Sequence, residues 1–134
     1  MDESKSDWVL YRERIGIWQE RYMERLCREY CEMLQKDKPA TDRFWALQKR
    51  INKDKNTPGV AVTLRRSNMF YDILGLIKDG AISVEDLKDF SQDLQDKVML
   101  IIRQRTLWII ILCTHKFSLF IESPLSSFLY HVLP

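Results

Sequence analysis

Trp8, Tyr11, Ile15, Trp18, Tyr22, Leu26 and Tyr30 recur at steps of three and four along the chain. That spacing is one face of an α-helix. Met23, Cys27, Met33 and Leu34 widen the stripe, and Glu24–Arg28, Arg25–Glu29, Arg28–Glu32 and Glu32–Lys36 stand at i,i+4 on the other face. Each such pair adds roughly 0.2–0.5 kcal/mol to a helix. The pattern predicts a first helix over about residues 8–36. Ser4 with Asp7 offers a capping box at its start, and Pro39 marks its end.

Three more amphipathic segments follow. Phe44, Leu47 and Ile51 predict a helix over 41–55 with a buried stripe and Thr41 as its cap. Asn56-Thr57-Pro58-Gly59 is a turn, and Val60–Leu64 reads as an extended loop, since a lone strand there has no partner. Met69, Phe70, Ile73, Leu74 and Ile77 predict a helix over 67–79, capped by Ser67 and ended by Gly80 as the left-handed C′ residue. Ser83 and Asp86 make another capping box, ahead of a helix over 83–105 carrying Val84, Leu87, Phe90, Leu94, Val98 and Ile101. The fold class is therefore all-α, a small four-helix bundle. Its third and fourth helices form an antiparallel hairpin across Gly80–Ser83.

The polar pattern stops at Arg105. Of the 40 charged residues, 38 lie in positions 1–105; the last 29 residues carry only Lys116 and Glu122. This divides the chain into a helical domain, 1–105, and an anomalous apolar tail, 106–134. The uncharged run from Thr106 to Thr114 is short against the ~20 residues of a membrane span. Three readings stand open. One is a tail anchor with Arg103 and Arg105 on its cytoplasmic side. Another is a fifth element, rich in strand formers such as Trp108, Ile109–Ile111, Phe117, Phe120 and Phe128, folded back on the bundle. The reading the composition favours is translation past a natural end, by frameshift or altered stop, leaving an aggregation-promoting extension.

Net charge is only +2, but the charge is unevenly placed. Between Asp42 and Arg66 lie Arg43, Lys49, Arg50, Lys53, Lys55, Arg65 and Arg66 against two acids, net +5. Between Asp79 and Asp96 lie six acids against Lys88, net −5. The basic stretch is the candidate macromolecule-binding site, fit for phosphate or an acidic protein surface; the alternative is a solvated face compensated by the acidic helix. Trp45 beside it stacks on a base or belongs to the core.

Several chemistries are disfavoured. Positions 1–105 contain no histidine, and glycines 16, 59, 75 and 80 form no phosphate loop, so no catalytic constellation is found and no enzyme is expected. Cys27 and Cys31 at i,i+4 supply two ligands where zinc needs four, so buried small cysteines are expected and no metal or cofactor. Asp79–Asp86 imitates half a calcium loop, but Gly75 and Ile77 stand where oxygen ligands belong. A helix-turn-helix reading of the third and fourth helices fails because Glu85, Asp86, Asp89, Asp93 and Asp96 would meet phosphate. Three unevenly spaced cysteines argue against a disulfide framework and for a reducing cytoplasm. The polar start MDESKSDW is no secretory signal.

Two resemblances add to this. Ile73-Leu74, Ile77, Gly80, Ile82, Ser83, Glu85 and Leu87, within residues 73–94, resemble short helical hairpins of the SHOCT type, which implies oligomerisation or docking. Asp7-Trp8, Trp18-Gln19, Phe44-Trp45-Ala46-Leu47, Lys49-Arg50-Ile51, Arg66-Ser67-Asn68-Met69 and Gly80-Ala81-Ile82-Ser83 make residues 7–98 similar to small uncharacterised all-helical proteins of Gram-positive gut bacteria and their mobile elements. Some of those bear the label "multidrug transporter", which a chain without a bundle of spans does not support. This resemblance implies a chain ending near residue 105 and brings no activity.

Taken together, the sequence favours a non-catalytic, cytoplasmic interaction or adaptor module that binds a protein partner, or a second copy, through a charge-polarised surface. A nucleic-acid-binding accessory protein using the basic 43–66 patch is one alternative. A tail-anchored membrane protein, attached only through 106–134, is the other.

Overall fold

The structure, a computed structural model, describes residues 4–122 of the backbone and the side chains of residues 4–115. It is all-helical. Among the described residues four α-helices follow in order: α1 (Lys5–Gln35), α2 (Ala40–Asp54), α3 (Met69–Lys78) and α4 (Gln92–Glu122), with 3₁₀ turns at Arg66–Asn68 and Val84–Leu87. Residues 61–65 are irregular, as the loop expectation had it. The chain forms two compact units, residues 1–96 and 97–134.

The core of the first unit follows from the α1 stripe. Tyr11, Ile15, Trp18, Tyr22 and Leu26 are buried, with Met69, Phe70, Ile73, Leu74 and Leu76 of α3 and with Ala81, Ile82, Leu87, Phe90 and Leu94. Trp18 stacks on Phe90 at 6.0 Å between ring centroids and meets Tyr11 edge-on at 6.4 Å. Such ring pairs contribute about 0.5–1.5 kcal/mol beyond the area they bury. Two glycines are required by geometry. Gly80 has φ +73°, the left-handed region that ends α3. At Gly59 a Cβ would lie 2.3 Å from the Tyr22 ring, so only a bare Cα lets the 55–65 loop close on α1.

Several expectations need correction. α2 does not bury its apolar stripe: Phe44 is 64 % exposed and Ile51 42 %, and its one buried residue is Asp54. Trp45 is also exposed rather than core. The predicted 83–105 helix is interrupted. Ser83 and Asp86 do form their capping box, but around a 3₁₀ turn, and α4 starts only at Gln92. α4 runs uninterrupted across the change of composition at 105/106. Over 106–115 that helix also replaces the strand-like fifth element; Phe117, Phe120 and Phe128 lie outside the described side chains. The Ser4–Asp7 box does not form, and α2 starts after Pro39 without a side-chain cap. Of the i,i+4 pairs expected on α1, Arg25–Glu29 at 3.7 Å is the one that closes among the described residues.

Candidate functional site

The α1 arginines mostly reach across to other elements. Arg14 pairs with Asp89 at 2.7 Å and Arg21 with Asp86 at 3.0 Å, while Arg25 donates to the Gly80 carbonyl at 2.8 Å and the Asp79 carbonyl at 3.1 Å. The spacing 14, 21, 25 puts these three on one flank of the buried stripe. Arg25 thereby neutralises the carbonyl end of α3, where the helix dipole favours a cation. Burial would raise the Asp86 carboxyl, but the Ser83 N–H and the Arg21 guanidinium hold it below its ordinary value. The acidic 79–96 stretch is thus in good part a docking strip for α1.

The basic stretch divides in two. Arg43 donates to the Leu34 carbonyl at 2.7 Å and the Lys38 carbonyl at 3.0 Å, closing the C-terminal end of α1. Arg50 bonds both Glu29 and Asp54, and Asp54 also accepts the Tyr30 hydroxyl. The Glu29 bond, with the Asp54 charge, holds the Arg50 guanidinium above its ordinary value against burial. Burial first, then the bond to Asp54, raises the Tyr30 phenol, so it stays a donor. This network ties α2 to α1, while Phe44 and Trp45 stay outside. Arg66 is also engaged. Lys49, Lys53, Lys55 and Arg65 are exposed and pair with no carboxylate among the described residues. Four of the seven candidate residues therefore face solvent unengaged.

Asp7 was missed as a structural residue. It is buried, and its carboxylate accepts the Ser91 N–H at 2.8 Å and the Ser91 hydroxyl at 2.6 Å. The signal was its register: Asp7 stands four before Tyr11, in phase with the buried stripe. Asp54 carried a similar signal, four after Arg50 and seven after Leu47.

The second surface of interest is α4 beyond the first unit. Leu107, Trp108, Ile109, Ile110, Ile111 and Leu112 are consecutive, helical and each 52–65 % exposed. Six consecutive residues cover all sides of a helix, so no single face could bury them. The stretch Gln92–His115 is long and apolar enough to cross a membrane by length and composition, at mean hydropathy 1.4. Leu94 and Val98 at its start are buried, so the free apolar part begins at Leu100. Arg103 and Arg105 stand in the turn before Leu107, and Thr106 and Thr114 return their hydroxyls to the carbonyls of Ile102 and Ile110, both at 3.0 Å. Those internal bonds remove two polar groups from the helix surface.

Among the described residues, no three His, Cys, Asp or Glu side chains gather as a metal site requires. Cys27, Cys31 and Cys113 are free and exposed, which corrects the expectation that Cys27 and Cys31 are buried. Compared with known proteins, the chain matches no family model, no curated protein and no solved structure.

Proposed function

We propose that this chain is a membrane-attached, non-catalytic helical protein, held by the apolar part of α4 and presenting residues 4–96 as a folded module in water. The observation that carries this reading is the all-round exposure of Leu107–Leu112. A helix apolar on every side is stable where protein or lipid surrounds it. In water it is an association surface.

The helix from Thr106 to Ile121 is 16 residues long by its numbering and about 24 Å in length. That is short of the ~30 Å hydrocarbon core. Local thinning of the bilayer accommodates such a mismatch. Arg103 and Arg105 precede the segment and place their side on the cytoplasmic face under the positive-inside bias. The adaptor reading has less behind it, because Asp86 and Asp89 of its acidic pole already pair with Arg21 and Arg14.

The test is flotation of the full chain with phosphatidylcholine vesicles, followed by alkaline carbonate. Flotation separates membrane-bound protein from aggregate, which stays at the bottom. The expected result is a floating, carbonate-resistant protein. Ile110→Lys adds about 3 kcal/mol to insertion and should release most of it. A full-length chain that is monodisperse in buffer and ignores vesicles would sink the proposal.

A further inference from the structure

We infer that the cleft between α1 and the turn after α3 binds a phosphate monoester. Arg21, Arg25 and Arg28 stand at i, i+4 and i+7, one ridge of α1. Beyond α3 the chain turns at Gly80, and between that turn and the arginine ridge lies a cleft of about 520 Å³. Tyr22, Ala81 and Ile82, all buried residues, supply its apolar lining, and Asp86 is its one carboxylate.

Three features select the ligand. The first is charge. Three guanidinium groups against Asp86 leave three minus one, or +2, in the lining. A phosphate monoester carries about −1.5 to −2 at pH 7, whereas a single carboxylate would meet only half of that balance. The second is unused donor capacity. Arg28 makes no hydrogen bond or ion pair among the described residues, and Glu24 and Glu32, one turn to either side, do not close on it. The Nε of Arg25 is buried without a hydrogen-bond partner, with the Glu29 carboxylate at 3.7 Å. A buried donor left unpaired costs free energy that an anionic oxygen recovers. The third is preorganisation. Arg25 lies over the Tyr22 ring at 5.0 Å and holds the Asp79 and Gly80 carbonyls, and Arg21 holds Asp86 and the Ala81 carbonyl. A guanidinium has five N–H donors, so these contacts fix both groups without exhausting them. They also cover the carbonyl end of α3, which would otherwise repel an anion. Guanidinium forks match phosphate oxygens two at a time. The cleft is in the range of small-molecule sites, about 300–1,000 Å³, so there is room for the carbon group that the phosphate carries.

Every one of these residues belongs to the first unit, so binding here does not depend on the membrane reading. The experiment is calorimetric titration of the full chain, in neutral detergent, with glycerol 3-phosphate and with glycerol as control. The expected result is saturable binding of the phosphate ester and none of glycerol. Arg28→Gln should weaken binding about tenfold or more. Its thermal midpoint should match the parent's, because Arg28 holds nothing in the fold. Lys36→Gln removes the same charge from an exposed residue outside the cleft and should leave the affinity unchanged. No saturable binding, an Arg28→Gln variant with the parent's affinity, or an equal loss in Lys36→Gln overturns the inference. Flotation on phosphatidylcholine vesicles with and without phosphatidic acid then separates the two sources of such a phosphate. A preference for phosphatidic acid that Arg28→Gln abolishes supports the site with a lipid headgroup in it. Glycerol 3-phosphate binding without such a preference supports it with a soluble ester.

Discussion

The carboxylate of Asp7, in the first turn of α1, holds both the backbone N–H and the hydroxyl of Ser91, the residue immediately before α4. The Ser91 hydroxyl oxygen in turn accepts the Leu94 N–H at 3.2 Å, so one serine caps a helix and receives its anchor from another. Removing the Asp7 carboxylate leaves both donors of half-buried Ser91 without this acceptor, and removing the Ser91 hydroxyl leaves one oxygen of buried Asp7 without its donor. Asp7→Ala should destabilise the first unit by about 2–3 kcal/mol and Ser91→Ala by about 1–2 kcal/mol. In a double-mutant cycle read by urea unfolding, the two losses should add to clearly more than the double variant shows. Additive losses would mean that the pair does not act as a unit.

Two glycines should respond in opposite directions to the same substitution. Gly16 lies exposed in the middle of α1 with open space where a Cβ would go. Gly16→Ala should therefore stabilise by about 0.5–1 kcal/mol. Gly59→Ala drives a methyl into the buried ring of Tyr22 and should cost about 1–3 kcal/mol. Thermal midpoints of the two variants should bracket that of the parent chain.

Asp72 and Asp86 give the acid range two opposing slopes. Asp86 is held below its ordinary value, by the Ser83 N–H and Arg21 against the effect of burial. Its contribution is present above the unfolded carboxylate value, ~4, and is lost as pH falls through the folded value. Asp72 is raised by burial, partly offset by the Tyr11 hydroxyl. The native state there holds its proton more tightly, so that contribution is present below ~4 and fades as pH rises through the folded value. Asp72→Asn keeps an oxygen for Tyr11 and should be neutral or slightly stabilising at pH 7. Asp86→Asn should cost up to about 1 kcal/mol there and flatten the acid loss. Urea midpoints from pH 3 to 7 read both slopes; a destabilised Asp72→Asn at neutral pH would contradict this account.

The α2 attachment should be polar in its energetics. Asp54→Ala strips Tyr30 and Arg50 of a shared acceptor and should cost about 2–4 kcal/mol. Hydrogen exchange should show the loss confined to α2. Ile51→Ser, by contrast, should cost only about 1 kcal/mol because Ile51 is 42 % exposed. A large cost at Ile51 would mean that the stripe packs after all.

How much of this was legible beforehand depended on what each residue had to satisfy. The α1 stripe was readable because Tyr11, Ile15, Trp18, Tyr22 and Leu26 obey one period and are all buried. The same period misled at Phe44 and Ile51, since periodicity reports an apolar face and not whether anything covers it. Arg25 was expected to pair with Glu29 on its own helix and does so at 3.7 Å, but the carbonyls it also holds, and the partners of Arg14 and Arg21, lie 54–75 positions away, where spacing along one helix gives no sign of them. Ser83 with Asp86 was identified correctly as a start signal. What followed was a single 3₁₀ turn, because Leu87 and Phe90 turn into the core before α4 begins at Gln92. The change of composition at Arg105 was plain, and α4 continues through it as helix.

The three free thiols amount to a built-in topology probe. Cys27 and Cys31 lie in the first unit and Cys113 lies in the apolar stretch of α4, all of them exposed on the protein itself. A water-soluble maleimide would find all three in a protein dissolved in water. In a protein seated in a bilayer it would find the two on α1, and Cys113 would wait for detergent. Without a single substitution, counting labels before and after solubilisation tells which solvent surrounds each half of the chain.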